Sequence, residues 1–276
     1  MFIVKRNWKL AVLAGAFPAL IALPAHADWG LLNMPEGVSE LSREIYDMHM
    51  IMLWICLAIA VVTFGAMIFA MIRFRKSRGA VADIGFLHNV RLEAAWTVIP
   101  TIILIAMAIP SVEKLIKIED TGGSELTIKI TGYQWYWQYE YLGRGVSFYS
   151  RLARSSDLAR QRGSGIDPDT VDNYLLEVDK PLVVPTGTKI RLLLTANDVI
   201  HAWWVPDFGM KRDAIPGFMN EMWISVDADK PGTYRGKCAE LCGADHGFMP
   251  IVVVAMAPQE FENWIARQQP RSEATL

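Results

Sequence analysis

The stretch Cys238-Ala-Glu-Leu-Cys242-Gly-Ala-Asp-His246-Gly-Phe-Met249 places two thiols, an imidazole and a thioether within twelve residues of a 276-residue chain. Soft ligands of this kind favour copper over magnesium, calcium or a hydrolytic zinc. Segments 233–237 and 250–256, which flank the stretch, are rich in strand-forming residues. The pattern therefore predicts a metal-binding loop held between two β-strands.

The number of thiols in this loop bears on how many metal ions it binds. A mononuclear blue-copper site needs one thiolate, two imidazoles and a weak thioether, so a second thiolate suggests two bridged copper ions. His246 supplies one imidazole, and we expect His201, the only other histidine after residue 88, to supply the second. Two alternatives stay open: a disulfide between Cys238 and Cys242, and a Cys2His2 zinc site. Both leave Met249 without a role.

The N-terminal half has the pattern of an exported membrane protein. Residues 1–27 combine an early basic cluster, a short apolar run and a small-x-small ending, which predicts a signal peptide cleaved before Asp28. A periplasmic segment, 28–47, follows. Two long apolar runs then predict transmembrane helices over 48–72 and 94–114, because each is long enough to cross a hydrocarbon core of roughly 30 Å. Cys56, in the first run, is interpreted as a packing residue.

Charge placement predicts the orientation of the hairpin. The loop 73–93 carries five bases against two acids, which makes it cytoplasmic by the positive-inside rule. Both termini then lie on the periplasmic side of a bacterial inner membrane. The outer segments are acidic, with 22 acids against 18 bases in residues 113–276, and would attract a basic soluble partner. The formal net charge of −2 indicates no nucleic-acid partner.

After a linker at 115–124 the sequence changes to short alternating strands separated by turns. The predicted strands are 125–141, 174–178, 189–195, 221–226, 233–237 and 250–256. Residues 144–172 are expected to form an irregular loop, and 258–268 an amphipathic helix followed by a tail to residue 276. The predicted fold is an N-terminal two-helix transmembrane hairpin plus an all-β, Greek-key sandwich over residues 125–257.

These features together resemble subunit II of haem-copper cytochrome c oxidase, in its bacterial aa3-type form. The motifs that carry the resemblance are the hairpin, Arg91-Leu-Glu-Ala-Ala-Trp-Thr-Val-Ile-Pro100, Gly132-Tyr-Gln-Trp-Tyr-Trp-Gln-Tyr-Glu-Tyr141, Asp213-Ala-Ile-Pro-Gly217 and Cys-x-Glu-x-Cys-x3-His-x2-Met. The resemblance implies a cupredoxin sandwich that accepts electrons from a periplasmic cytochrome c and passes them to haem in subunit I. There, oxygen is reduced to water and protons are moved across the membrane. The expected partners are subunits I and III, cytochrome c and the lipid bilayer.

The resemblance also implies a set of metal ligands. A binuclear copper A centre would have Cys238 and Cys242 as bridges, with His201 and His246 as terminal ligands. Met249 and the backbone carbonyl of Glu240 would be weak axial ligands. The Glu240 side chain would help to bind Mg²⁺ shared with subunit I, although it could equally be a solvated carboxylate. The haems and a third copper belong to the partner subunit, so this chain alone should not reduce oxygen.

Further residue roles follow from the resemblance. Trp135 would receive the electron from cytochrome c, although strand alternation by itself makes it part of a core row with Trp137, Tyr139 and Tyr141. Glu93 would lie at the mouth of a proton channel, or else be an ionisable group that snorkels at the membrane boundary. Acids expected to dock a basic cytochrome, or simply to be solvated, are Glu140, Glu177, Asp179, Asp198 and Asp227.

Three other classes of protein share part of this pattern. A quinol oxidase subunit II has the hairpin and sandwich but lacks the copper ligands. A periplasmic copper carrier would bind the metal without redox turnover. A nitrous oxide reductase has a copper A domain, but paired membrane helices disfavour it here.

Overall fold

Two long helices precede the β-sheet domain. In the computed structural model, which describes residues 32–81, 85 and 88–269, helix α1 spans Glu40–Arg73 and helix α2 spans Val90–Glu119. Both are long and apolar enough to cross a membrane. The predicted signal peptide, 1–27, lies outside the described residues. Contacts divide the chain between Pro35 and Glu36, and both helices and the β-sheet domain belong to the second unit.

Both helices extend beyond their apolar runs. Ser39 caps α1 and Asn89 caps α2 through side-chain oxygens that accept backbone N–H groups, as helix N-termini require. Helix α2 continues to Glu119, so residues 115–119 are helical rather than part of the expected linker. An ion pair joins the charged extensions of the two helices: Nζ of Lys117 in α2 lies 2.7 Å from Oε1 of Glu44 in α1.

The domain after α2 contains ten strands in two sheets. The strands are β1 Leu126–Tyr133, β2 Tyr136–Tyr141, β3 Val146–Ser150, β4 Leu182–Pro185, β5 Ile190–Ala196, β6 His201–Val205, β7 Met210–Ala214, β8 Asn220–Ile224, β9 Gly232–Cys238 and β10 Pro250–Met256. One sheet has the order β3-β2-β1-β5-β8 and the other β4-β10-β9-β6-β7. The β1–β5 and β4–β10 pairs are parallel and the rest antiparallel. The predicted cupredoxin-like sandwich is confirmed.

Side chains that alternate between the two faces of each strand form the core of the sandwich. In β5, Ile190, Leu192 and Leu194 are fully buried while the residues between them are half-buried. In β2, Trp137 and Tyr139 are also fully buried. Each such side chain contributes roughly 1.5–3 kcal/mol by leaving water, so this interior provides a stable base for the loops at its end.

Several local predictions were wrong. Residues 174–176 form turns, Glu177 has no regular structure, and Val178 makes only an isolated bridge to Leu152. The reason is local: Asn173 and Leu175 have φ values of 49° and 59°, a left-handed conformation that no strand accepts. The expected irregular loop at 144–172 contains β3 and a short helix, α3, at Arg154–Ala159. Strands β4, β6 and β7 were not predicted.

A closing helix, α4, spans Pro258–Gln268, the residues whose spacing predicts it. Its buried face carries Phe261 and Ile265. Next to them, the Trp264 ring lies 5.5 Å from that of Tyr141. The helix therefore covers the end of the core near β2.

The sandwich is joined directly to the helix ends. Nη1 of Arg43 lies 2.5 Å from Oδ2 of Asp227, and Nη2 of Arg212 lies 2.6 Å from Oε1 of Glu119. Nε1 of Trp223 donates to the carbonyl of Lys117 at 3.2 Å. Three residues of the sandwich, from β7, from β8 and from just after β8, thus contact the hairpin where the helices leave the apolar zone.

Candidate metal centre

The ends of neighbouring strands bring the predicted ligands together. His201 is the first residue of β6 and Cys238 the last of β9, and these strands pair with Trp203 opposite Cys238. The metal loop, residues 238–249, begins there and ends where the backbone carbonyl of Met249 accepts the Cys238 N–H at 3.1 Å. The loop is therefore closed by a hydrogen bond next to the Pro250–Lys237 pair of the β9–β10 ladder.

Four donor atoms form a continuous series across this loop. Nδ1 of His201 lies 3.9 Å from Sγ of Cys238. That sulfur is 3.8 Å from Sγ of Cys242, which is 3.5 Å from Nδ1 of His246. The order is imidazole, thiol, thiol, imidazole, and each thiol has its own histidine.

The sulfur separation decides against the disulfide alternative in this structure. A disulfide bond is about 2.05 Å long, whereas Cys238 and Cys242 are free and 3.8 Å apart. The donor atoms of His201, Cys238 and Cys242 all lie within 4.8 Å of one another, and the three residues are buried. Two thiols and imidazoles at this spacing are compatible with bound copper.

His201 is held from behind by an acid. Its ring is fully buried, and Nε2 lies 2.9 Å from Oδ1 of Asp198. The other carboxylate oxygen of Asp198 accepts the backbone N–H of Gln134 at 2.7 Å. Burial lowers the pKa of His201, but Cys238 and Asp198 outweigh it and the net direction is upward. With Nε2 engaged, Nδ1 is the nitrogen left to face the thiols.

A glycine makes room for this histidine. A Cβ on Gly132 would lie 2.7 Å from Cδ2 of His201, well inside van der Waals contact. On another side, the Trp137 ring meets the imidazole edge-on at a centroid distance of 5.8 Å. The imidazole is therefore fixed by a hydrogen bond, a backbone surface and an aromatic ring.

The two thiols have different tendencies to ionise. Burial opposes ionisation of Cys238, but contacts with His201 and nearby backbone groups lower its pKa to about 7. Burial and the neighbouring Cys238 sulfur raise the pKa of Cys242 to about 12. One thiolate is thus available near neutral pH, and the second proton must be displaced by an incoming cation.

Comparison with known proteins identifies the family. The family model "Cytochrome C oxidase subunit II, periplasmic domain" matches residues 126–256, and the corresponding transmembrane-domain model matches 27–114. The probable cytochrome c oxidase subunit 2 of Rickettsia bellii is 40% identical over 229 residues, covering 83% of this chain and 80% of that protein. The chain belongs to the cytochrome c oxidase subunit II family. It is therefore a two-pass membrane protein and a component of a haem-copper oxidase.

Other proteins and solved structures are also similar to this chain. The mitochondrial subunit 2 of Vigna unguiculata is 35% identical over 257 residues, covering 93% of this chain and 66% of that protein. A crystal structure of the periplasmic domain of subunit II from Bradyrhizobium japonicum is 41% identical. It covers 54% of this chain and 96% of its own, with a TM-score of 0.46. In a second crystal structure, subunit II of cytochrome c oxidase forms a mixed disulfide with a thioredoxin-like protein. The matched chain is 39% identical to this one, and the match covers 55% of this chain and 95% of that chain, with a TM-score of 0.43.

In this member of the subunit II family, Trp135 lies against the metal loop. It occupies the turn between β1 and β2 rather than the buried aromatic row, which starts at Trp137. Nε1 of Trp135 donates to the backbone carbonyl of Cys242 at 3.2 Å, and Nε2 of Gln134 donates to the same oxygen at 2.9 Å. The indole is thus one hydrogen bond from a predicted ligand.

The remaining predicted ligands differ in exposure. Met249 is 1% exposed and belongs to the core under the loop. The backbone carbonyl of Glu240 lies 3.3 Å from Sγ of Cys238, while its side chain is exposed. In Glu240 the carbonyl therefore points inward and the carboxylate is accessible from outside.

Glu93 lies in the first turn of α2. Its Oε1 accepts the backbone N–H of Asn89 at 3.2 Å and lies 3.7 Å from Nδ1 of His88. The side chain is 42% exposed. It has a capping contact and an accessible carboxylate.

The predicted docking acids each have a partner in the protein. Ion pairs join Glu140 to Lys129 at 3.4 Å, Glu177 to Arg235 at 2.7 Å and Asp227 to Arg43 at 2.5 Å, while Asp179 accepts the Arg151 N–H at 2.7 Å. Asp198 lies beside the metal loop, whereas Asp227 lies where the domain meets α1. The structure does not gather the five acids into one patch.

Sequence reasoning overlooked the parts that support the ligands. Asp198 was expected only as a docking acid, yet its spacing of three residues from His201 was a signal for a contact with the imidazole. Gly132 and Gln134 belong to the same support. No pattern in the sequence showed that their strand would cross behind His201.

Proposed function

We propose that this chain is the electron-accepting subunit of a bacterial aa3-type cytochrome c oxidase, with a binuclear copper A centre in its periplasmic domain. The observation that carries the proposal is the series of donors from His201 through Cys238 and Cys242 to His246. Two thiols between two imidazoles suit two metal ions that share both sulfurs. A mononuclear blue-copper site, with one thiolate and two imidazoles, would leave one of the two thiols without a function.

The protein's own residues would prepare this site. Cys238 and Cys242 would hold the copper pair through their thiolates and His201 and His246 through ring nitrogens, with Met249 and the Glu240 carbonyl as weak additional contacts. When bound, the copper pair would supply one-electron transfer between cytochrome c and the haem of subunit I, where oxygen reduction is coupled to proton translocation. Burial of the thiols under the loop excludes water and limits rearrangement on a change of redox state.

The surroundings of the site are assigned accordingly. Trp135, hydrogen-bonded to Cys242, is the residue at which electrons arrive from cytochrome c. The exposed carboxylate of Glu240 binds Mg²⁺ at the boundary with subunit I, and Glu93 lies at the inner mouth of a proton channel. Acids that would help to steer a basic cytochrome are Glu140, Glu177, Asp179, Asp198 and Asp227.

The membrane arrangement completes the proposal. Residues 1–27 form a signal peptide, the loop at 73–93 is cytoplasmic, and the domain at 125–257 is periplasmic, as the basic loop favours. The hairpin lies in the bilayer of the bacterial inner membrane, against subunits I and III.

The test is metal content and spectroscopy of the purified complex. We expect two copper ions for each copy of this chain beyond those of the partner, and a mixed-valence copper signal in electron paramagnetic resonance. Cys238→Ser or Cys242→Ser should abolish this signal. The matched control is Cys56→Ser, because Cys56 is the third free thiol and lies exposed on α1.

Two results would contradict the proposal. Zinc in place of copper would identify the Cys2His2 alternative. Transfer of the copper to a soluble copper-binding acceptor, together with the absence of a haem-bearing subunit from the purified protein, would identify a copper carrier.

A further inference from the structure

A loop far from the ligands in sequence contacts the metal loop. Residues 151–179, here called the side loop, leave the sheet after β3 and return before β4. The two ends are tied together: the Ala153 N–H donates to the Glu177 carbonyl at 2.9 Å, and the Asp179 N–H donates to the Arg151 carbonyl at 2.9 Å. Because its ends are fixed, the side loop can present a side chain at a defined position.

The interior of the side loop is also ordered. Ser156, on α3, is fully buried, and its Oγ accepts the Leu175 N–H at 3.0 Å. At the end of the side loop, Glu177 pairs with Arg235 at 2.7 Å. Arg235 belongs to β9, the strand that ends at Cys238. The side loop is therefore anchored to the same strand that carries a predicted ligand.

Arg160, which follows α3, is the side chain that reaches the metal loop. Its Nε lies 2.8 Å from Oδ1 of Asp157, which fixes the guanidinium from its own helix. Nη1 and Nη2 lie 3.4 Å from the two carboxylate oxygens of Asp245. The guanidinium carbon also lies 4.5 Å from the centroid of the Phe248 ring.

The two metal-loop residues that Arg160 contacts flank a predicted ligand. Asp245 precedes His246, and Phe248 lies between His246 and Met249. Asp245 is also the N-cap position of the short 3-10 turn His246–Phe248, but no side-chain hydrogen bond caps that turn. The carboxylate of Asp245 is instead directed to Arg160, so a contact from outside the loop meets this turn at its first position.

A cavity of about 220 Å³ lies at this contact, lined by residues that include Trp135, Arg151, Arg160 and Phe248. The guanidinium therefore forms part of the cavity wall together with residues of the metal loop. Arginine suits the position because its planar group can meet a carboxylate and an aromatic face together, which an ammonium cannot do equally well.

We propose that Arg160 is a positioning residue of the metal centre: through Asp245 and Phe248 it holds the turn that aims His246 at Cys242. The inference rests on the proposed copper function and goes beyond it by assigning a role to the side loop. Arg160 touches no ligand atom, so its effect is on how firmly the ligands keep the metal.

The experiment compares Arg160→Met with wild type in the purified complex. Met keeps the apolar length of the side chain and removes its charge and plane. We expect copper loss to a chelator to become about 10-fold faster, the lower end of the effect of residues that orient metal ligands. The copper hyperfine pattern in electron paramagnetic resonance should also change, and Arg160→Lys should restore part of the retention.

The matched control is Arg144→Met. Arg144 also pairs with an acid, Glu262, and lies over an aromatic ring, that of Phe261 at 6.0 Å, but these contacts are with α4 and not with the metal loop. It should keep copper and its spectrum as wild type does. Asp245→Asn tests the contact from the other side and should weaken retention in the same direction.

The double variant Arg160→Met/Asp245→Asn should lose copper no faster than the more severe single variant, because both remove the same contact. Two results would overturn the proposal. One is a double variant in which the two single-variant effects on the rate of copper loss multiply, and the other is wild-type copper retention and a wild-type spectrum in Arg160→Met. If Arg160→Met fails to assemble, wild-type retention in Asp245→Asn overturns it. A wild-type complex without a copper pair would instead refute the proposed function itself.

Discussion

Oδ1 of Asp198 lies 2.9 Å from Nε2 of His201, and Nδ1 of the same ring lies 3.9 Å from Sγ of Cys238. The acid therefore selects which nitrogen faces the thiols. A hydrogen bond behind a ligating imidazole fixes its tautomer and orientation and increases its basicity. Since Asp198 also accepts two backbone N–H groups, from Gln134 and Val199, the carboxylate is itself held in place.

Asp198→Asn should weaken copper retention by about 10-fold, because the amide keeps the size of the carboxylate and loses its charge. The measurement is copper remaining in the purified complex after timed exposure to a chelator. Glu140→Gln is the control, since Glu140 is paired with Lys129 in β1 and has no contact with His201. Equal retention in both variants would show that the acid behind His201 has no influence on the site.

Gly132→Ala should displace the His201 ring and lower copper content while the protein still assembles. The added Cβ would lie 2.7 Å from an imidazole carbon, whereas on Gly247, inside the metal loop, it would meet nothing within 4 Å. Gly247→Ala is therefore the matched control and should keep its copper. The check is copper per subunit, and a fully loaded Gly132→Ala protein would refute the prediction.

Gly236→Ala should have a different outcome, because its Cβ would lie 1.9 Å from the backbone carbonyl of Trp204. Backbone cannot rotate away as a side chain can. Overpacking of this kind typically costs about 1–3 kcal/mol and occasionally more. We expect lower amounts of the subunit in membranes, measured by immunoblot, rather than an assembled subunit without metal. Normal amounts would mean that strands β6 and β9 can separate without cost.

Trp135→Phe should slow electron uptake from cytochrome c with the copper spectrum retained. Phenylalanine keeps an aromatic ring but removes the N–H that donates to the Cys242 carbonyl, at a cost of about 1 kcal/mol in stability. Stopped-flow reduction of the complex is the measurement. Trp204→Phe is the control, since Trp204 is 36% exposed on β6 with Lys211 over its ring. Equal rates in the two variants would show that Trp135 takes no part in electron uptake from cytochrome c.

In copper-free protein, the two thiols should titrate separately. A thiol ionises above its pKa, so Cys238, with a pKa of about 7, should react with an alkylating agent increasingly as pH rises through neutrality. Cys242, with a pKa raised to about 12, should stay slow until strongly alkaline pH. Residue-resolved mass spectrometry would measure both. A common midpoint near the ordinary thiol value of about 8.5 would contradict the coupling, and loaded protein should protect both thiols.

The sequence was sufficient where local pattern and chemistry agree. Apolar runs predict two membrane helices, and the thiol and imidazole spacing predicts the metal loop. The strand prediction failed at 174–178, because the apolar and aromatic residues there favour a strand while the backbone at Asn173 and Leu175 is left-handed. It also missed β6, since His201-Ala-Trp-Trp-Val205 is buried at four of its five residues and shows no alternation.

The supporting contacts could not be predicted because they join distant segments. Asp198 meets Gln134 across 64 positions, and Arg160 meets Asp245 across 85. Such pairs depend on the order of strands in the sheets and on where the side loop folds. A single sequence contains the residues but not their proximity.

The contacts of Arg43, Arg212 and Trp223 limit how far the sandwich can move relative to the two helices. They attach the sandwich to both helices at once, and Nζ of Lys189 adds bonds of 2.7 and 2.8 Å to the carbonyls of Asp120 and Gly122 in the short connection. A domain that is bonded to the helices at several points cannot rotate freely about the short connection. The position of the metal loop relative to the ends of the two apolar helices is therefore set within this chain, before a partner subunit is added.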